Sequence, residues 1–326
     1  MYTIEHNGAK ESDGAHVASE RELCRDQMQD KRFGQARLGF GCASLSPGIS
    51  QTEAAALLER ALDNRISHFD TARMYGAGAA EGMLGPLAKR RRGEMTIVTK
   101  AGISPRGRLQ RALGKLAGLA GGHNPGPFRF GEFTPEQVRR SVEKSLHELQ
   151  TDYIDALLLH EAGPDDITDE LKRTLFDLKQ QGAVASLGVA TSVEDAAALA
   201  SDHPDLCEII QIPTSPKVIA LPANSTLIVH SVLGTRLSRF VALMGANGEL
   251  AHRFSDEVGV NGADAETAAR LFLLYEMSRN PDGVVLISSM NLRHIALNGA
   301  LLREKPDAEQ TQAFARFLNT MEVQAS

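Results

Sequence analysis

Residues 151–191 read TDYIDALLLHEAGPDDITDELKRTLFDLKQQGAVASLGVAT. Two short aliphatic runs, Asp155–Leu159 and Val184–Val189, flank a helical pattern over 169–181, and Gly182 stands where a residue of positive φ commonly closes a helix. Strand, helix and strand in that order are the signature of parallel βα repeats. To either side the alternation continues from about Arg37, with further runs at Leu38–Ala43, Ile66–Phe69, Met95–Thr99, Glu208–Ile212, Thr226–Val229 and Gly283–Ile287. Eight runs, each the length of a barrel strand, predict one α/β domain over 35–326, a (β/α)8 TIM barrel.

Helix starts are marked by Ser50 with Glu53 and by Thr134-Pro135 with Gln137, each a capping hydroxyl three residues before a side chain that reaches back. Gly93 is expected to close the helical pattern over 79–92. In the helix from Pro135, Val138, Val142, Leu146 and Leu149 share the face that should pack on the barrel. Two stretches break the repeat. Residues 103–133 form a long insertion after the third strand, expected to lie over the mouth as a lid, and 215–225, with Pro216 and Pro222, is too short for a full helix.

With 42% apolar and 23% charged residues the chain has the make-up of a globular protein with a full core. A net charge of −6 gives no general attraction to nucleic acid or to acidic membranes, which favours a small-molecule partner. No apolar run reaches the ~18 residues of a membrane span. Residues 1–34 are polar, lack the apolar segment of a signal peptide, and are expected to form a disordered extension. Cys24, Cys42 and Cys207 are odd in number and widely spaced, with no His cluster at ligand spacing, so no metal site is predicted and a reducing cytoplasm fits best. The run Lys89-Arg90-Arg91-Arg92 is expected to complement the negative end of its helix.

Three strands end alike, an apolar run followed at once by an ionisable residue: Asp70 after Phe69, Lys100 after Thr99, His160 after Leu159. In a barrel these side chains converge at the C-terminal mouth, and Tyr75, five residues after Asp70, is close enough to fold over the same spot. A tyrosine with a pKa of about 10 is a poor proton donor at neutral pH, so a neighbouring cation is expected to lower it. Lys100 supplies that cation, and Asp70 supplies the carboxylate that keeps a buried lysine charged. His160 is placed to hydrogen-bond a substrate oxygen. Singly, each residue is ordinarily structural; the four together point to acid–base catalysis.

HFDTARMYGAGAAEGMLG (68–85), IVTKAG (97–102), DYIDALLLH (152–160) and LKQQGAVASLGVATS (178–192) resemble the aldo-keto reductases. The likeness runs from about Arg37 to Asn298 and implies reduction of aldehydes and ketones with NADPH or NADH, or the reverse oxidation, without metal and with Tyr75 as general acid or base. The segment between Lys100 and Phe133 is similar to that of the aldose and galactose dehydrogenase branch, which acts on sugar hemiacetals. The resemblance also implies cofactor contacts. Gly41 and Cys42 fall on the cofactor wall, Thr191 and Gln211 at the nicotinamide amide, and His230 where an aromatic ring stacks. Ser231, Leu233 and Gly234 fall around the pyrophosphate, and Ser289, Arg293, His294 and Asn298 beside the adenosine. Where the family holds a Ser-Asn pair the chain has Ala190 and Thr191, and Ser288 stands where a lysine often meets the 2′-phosphate. The choice between NADP and NAD, and the oligomeric state, stay open. Two other functions fit the same residues: a cofactor-binding regulatory subunit with little turnover, and a barrel enzyme that uses Lys100 covalently.

Overall fold

The computed structural model describes residues 37–106, 127–304 and 307–325. The expected N-terminal extension and the middle of the expected lid, residues 107–126 with Arg108, Arg111 and Lys115, lie outside the described residues.

Eight parallel strands close into a barrel: β1 (Leu38–Gly41), β2 (His68–Asp70), β3 (Thr96–Ala101), β6 (Ile154–His160), β7 (Val184–Ala190), β8 (Ile209–Pro213), β9 (Thr226–His230) and β10 (Val284–Ile287). Every neighbouring pair is parallel, and β10 returns to β1 with Leu38 opposite Val285. The remaining two strands, β4 (Ser104–Pro105) and β5 (Phe128–Arg129), pair antiparallel and join the two ends of the insertion.

The interior is filled by Val98, Ala156, Leu158, Ile209, Ile228 and Val284, small or branched side chains that make it a packed core and not a pore. Gly188 is obligatory there, because a Cβ at this position would stand 2.2 Å from the Ile209 carbonyl oxygen of the next strand. The charged residues of the sequence motifs therefore sit on an apolar floor.

Helices α1 (Gln51–Asp63), α2 (Ala80–Arg91), α3 (Pro135–Leu149), α4 (Asp169–Gln180) and α5 (Val193–Asp202) surround the first five strands. Both predicted capping boxes form: Ser50 and Glu53 bond reciprocally at α1, as do Thr134 and Gln137 at α3. Val138, Val142 and Leu149 are buried under α3, as the spacing requires. Gly182 has φ of 74° and follows α4. Gly93 differs from expectation: it lies in a 3-10 turn, Arg92–Glu94, without positive φ. The basic run at the end of α2 bonds carboxylates: Arg90 meets Glu59, Arg91 meets Asp63 and Glu94, and Arg92 meets Asp155.

No helix forms between β8 and β9, in keeping with the prolines there. The missing mass reappears one connection later. Between β9 and β10 the chain builds α6 (Gly234–Ala246), α7 (Gly248–Val258) and α8 (Ala265–Arg279), and after β10 come α9 (Leu292–Leu301) and α10 (Ala308–Ala325). Phe240, Phe254, Phe272, Phe314 and Phe317 knit α6, α7, α8 and α10 together edge to face, with centroids 4.9 Å apart for Phe254 and Phe317. This cluster is continuous with the apolar core around β1, β2 and β3.

Candidate active site

Asp70 is the last residue of β2, and Lys100 lies near the end of β3, one step along the barrel. Opposite Lys100 on β6 is Leu158, so His160 stands two residues higher at the rim. Tyr75 reaches the same place from the loop after β2. Thr71 N–H donates to the Val98 carbonyl at 2.8 Å, and Tyr75 N–H to the Ala72 carbonyl at 3.1 Å. Inside this loop Arg73 is ion-paired with Glu81 of α2, and Glu81 also accepts from the Thr99 hydroxyl of β3 at 2.7 Å; all three side chains are buried. Gly76, at φ 58°, lets the chain turn against the Leu45 carbonyl, where a Cβ would stand at 2.1 Å. Tyr75 is thus fixed from both sides of its loop.

Lys100 is 1% exposed and donates to Asp70 Oδ2 at 2.7 Å, Asp70 Oδ1 at 2.8 Å, the Thr71 carbonyl at 3.0 Å and Tyr75 Oη at 3.3 Å. Burial alone would depress the ammonium, but the Asp70 charge, with smaller help from Tyr75 and the hydrogen bonds, outweighs it and the pKa is raised. The His160 ring stands edge-on to Tyr75 with centroids 6.0 Å apart. Burial, and then the positive charge of Lys100, lower His160 to about 3, so the imidazole is neutral near pH 7 and has one N–H to donate. Tyr75 departs from the sequence expectation. Its pKa is raised, because burial of the phenolate costs more than Lys100 returns. The lysine moderates the shift without reversing it, and the phenol is protonated at neutral pH.

These four groups form one wall of a cavity of about 680 Å³ at the C-terminal mouth. Of the residues that the resemblance assigned to the cofactor, Gly41, Thr191, Gln211, His230, Ser231, Leu233 and Gly234 line the same cavity. Cys42 does not: it opens a 3-10 turn after β1 and is completely buried in the core, while its neighbours Gly41 and Ala43 face the cavity. Ser289, just before α9, and Arg293, His294 and Asn298, within it, also stand outside the cavity. Ser289 bonds the backbone of Asn291, and Arg293 is ion-paired with Glu266 of α8. Ser288 lines the cavity and donates to the Gly41 carbonyl at 3.0 Å.

The wall from β7 to β10 carries open hydrogen-bonding capacity. Gln211 Oε1 of β8 is buried and has no partner among the described residues, and His160 Nδ1, across the cavity at the end of β6, is in the same state. Helix α6 begins at the cavity without a side-chain cap, and Ser231 before it and Gly234 at its first position, at φ 62° and 51°, curl the chain there. An uncapped helix start presents unsatisfied N–H groups to an anion. Among the cavity residues that the sequence did not point to are Met74, Ile103, Phe130 and Glu161. Glu161 was the easiest to find, since it follows His160 directly. Among the described residues no group of three His, Cys, Asp or Glu side chains is placed to hold a metal, and no helix is long and apolar enough to cross a membrane.

A closed parallel barrel with an Asp-Lys-Tyr hydrogen-bonded set and a neutral histidine at its mouth defines a class that the comparisons name. The profile of the aldo/keto reductase family matches residues 37–216, more than half of the chain, and the chain belongs to that family. It is 32% identical over 199 residues to a D-threo-aldose 1-dehydrogenase of a Pseudomonas species, a match covering 59% of this chain and 60% of the relative. To a 6-dehydroglucose reductase of Agrobacterium fabrum it is 33% identical over 177 residues, covering 52% and 53%. The chain thus spans little more than half the length of these curated relatives. Among solved structures, an aldo-keto reductase from Bacillus halodurans in its holo form shares the fold with a TM-score of 0.64 at 20% identity, over 88% of this chain and 95% of that one. One from Klebsiella pneumoniae, in complex with NADPH, gives 0.61 at 20% identity, over 88% and 93%.

Proposed function

We propose that the protein is an oxidoreductase that interconverts a carbonyl compound, an aldehyde, a ketone or a sugar hemiacetal, with its reduced or oxidised counterpart, using NADPH or NADH. The observation that carries this reading is the position of Lys100 Nζ, 2.7 Å from Asp70 and 3.3 Å from Tyr75 Oη on the wall of the cavity. Three such groups in contact have little structural purpose in an apolar barrel and a clear chemical one.

The residues present fit a nicotinamide dinucleotide. Gln211 Oε1 is an acceptor with no partner among the described residues, matching the donor N–H groups of the carboxamide. The uncapped start of α6, beside Ser231 and Gly234, suits the pyrophosphate. When bound, the cofactor supplies or accepts the hydride. The rest falls to the chain. Tyr75 holds a proton at Oη and delivers it to the substrate oxygen as negative charge develops there. Lys100 stabilises the phenolate left behind, and Asp70 keeps Lys100 charged. The neutral His160 orients the substrate oxygen through its N–H. Oxidation uses the same groups in reverse, with the phenolate as base. The curated relatives named above are a sugar dehydrogenase and a sugar reductase, which supports a carbonyl substrate.

Incubation with NADPH or NADH and a panel of aldehydes and ketones, and with NADP+ or NAD+ and a panel of aldoses, tests this directly. Loss of reduced-nicotinamide absorbance with at least one carbonyl, or its gain with at least one aldose, is expected. Tight dinucleotide binding without turnover across the panel would overturn the reading in favour of a regulatory subunit, and a borohydride-trapped adduct on Lys100 would favour covalent chemistry.

A further inference from the structure

We infer that Glu161 is a substrate-selecting residue, a carboxylate at the cavity rim that accepts hydrogen bonds from hydroxyl groups next to the reacting carbonyl and turns away substrates carrying a carboxylate. The inference rests on the oxidoreductase reading and sharpens its substrate class.

Side chains alternate along a strand, so the residue after the inward-facing His160 would ordinarily point away from the barrel interior. Here the alternation ends. Glu161 has φ of 57°, a left-handed conformation uncommon for a residue with a side chain, and it is held there by its N–H donating to the Ala190 carbonyl at 2.7 Å. The turn leaves Glu161 on the cavity lining, directly beside His160, and solvent-exposed. No hydrogen bond or ion pair engages its carboxylate among the described residues.

The charge around it completes the case. Among the described lining residues Lys100 is the one permanent cation, and its charge is already matched by Asp70 at 2.7 Å. Glu161 is therefore the uncompensated charge among the described residues of the cavity. An anionic substrate meets repulsion there with no described cation to offset it, whereas a hydroxyl meets an acceptor whose bond is charge-assisted. Met74, Ile103 and Phe130 supply the apolar remainder of the rim. A neutral hydroxylated carbonyl compound, polar on one face and apolar on the other, suits this lining.

The test compares kcat/KM for glyceraldehyde, propanal and succinic semialdehyde in the wild type, Glu161→Gln and Glu161→Lys, with thermal melts to verify folding. In the wild type glyceraldehyde should exceed propanal, and succinic semialdehyde should be the poorest. The glyceraldehyde-to-propanal ratio should fall about tenfold in Glu161→Gln, mainly through KM, as one charge-assisted hydrogen bond is weakened. In Glu161→Lys the succinic semialdehyde-to-propanal ratio should rise about tenfold. Folded variants that turn over all three aldehydes with unchanged ratios would overturn the selecting role and leave the oxidoreductase reading intact. A wild type that binds dinucleotide but neither reduces a carbonyl nor oxidises an aldose would remove that reading, and Glu161's role with it.

Discussion

On the side of the mouth formed by β2, β3 and β6, the charged groups meet their partners inside the protein: Lys100 with Asp70, and Arg73 with Glu81. On the side formed by β7 to β10, the polar groups end differently. Gln211 Oε1 has no partner among the described residues, and the start of α6 has no side-chain cap. A buried polar group left unpaired costs more than a hydrogen bond returns, and a ligand in the cavity is one means of completing the second arrangement. The contrast separates two jobs. On the proposed function, one side holds the proton donor through a network the protein completes by itself, and the other stays open for the dinucleotide.

The largest expected effect breaks the closed side. Lys100→Met leaves the Asp70 carboxylate buried at 2% exposure without its cation, which should destabilise the fold by about 3–5 kcal/mol and be visible as a lower urea midpoint. A change below about 1 kcal/mol would mean that water reaches Asp70 and the site is not dry.

The next effect is on pH dependence. The reductive reaction needs the phenol protonated and the imidazole neutral. Burial raises Tyr75 above its usual value, and His160 titrates only at about 3, so both groups hold their working forms across pH 5–9. A reductive kcat/KM free of an inflection due to His160 near its ordinary value of about 6.5 is expected. The oxidative rate, which needs the phenolate, should climb through the same range. An acid limb near pH 6.5 that disappears in a His160 variant would contradict this assignment.

The smallest effect is on the open side. Gln211→Leu removes one acceptor from the cavity and should weaken dinucleotide binding about tenfold, read from nicotinamide emission, while leaving the melting temperature close to that of the wild type. The absence of tryptophan makes that emission easy to follow.

The same division explains what the sequence disclosed. Asp70, Lys100 and His160 were legible because each follows an apolar run, and a parallel barrel leaves the ends of such strands at one place. The capping boxes of α1 and α3 were legible because their chemistry is confined to four residues. Cys42 was misplaced because a 3-10 turn begins at that residue and rotates its side chain into the core, an effect of backbone conformation that residue order does not reveal. The sign of the Tyr75 shift was missed because sequence names the neighbouring cation but not the depth of burial, which here is the larger influence. Helices α6 to α8 went unread because their apolar faces pack on each other and on α10, outside the strand–helix repeat that organised the reading.

The most direct test of the proton-carrying role is Tyr75→Phe, with dinucleotide affinity and turnover of a verified carbonyl substrate measured on the same preparation. Affinity within about twofold of the wild type and turnover lower by about 10²–10⁴ are expected, because the ring remains while the transferable proton at Oη is gone. Full turnover by a folded Tyr75→Phe protein would contradict the role assigned to that hydroxyl beside Lys100.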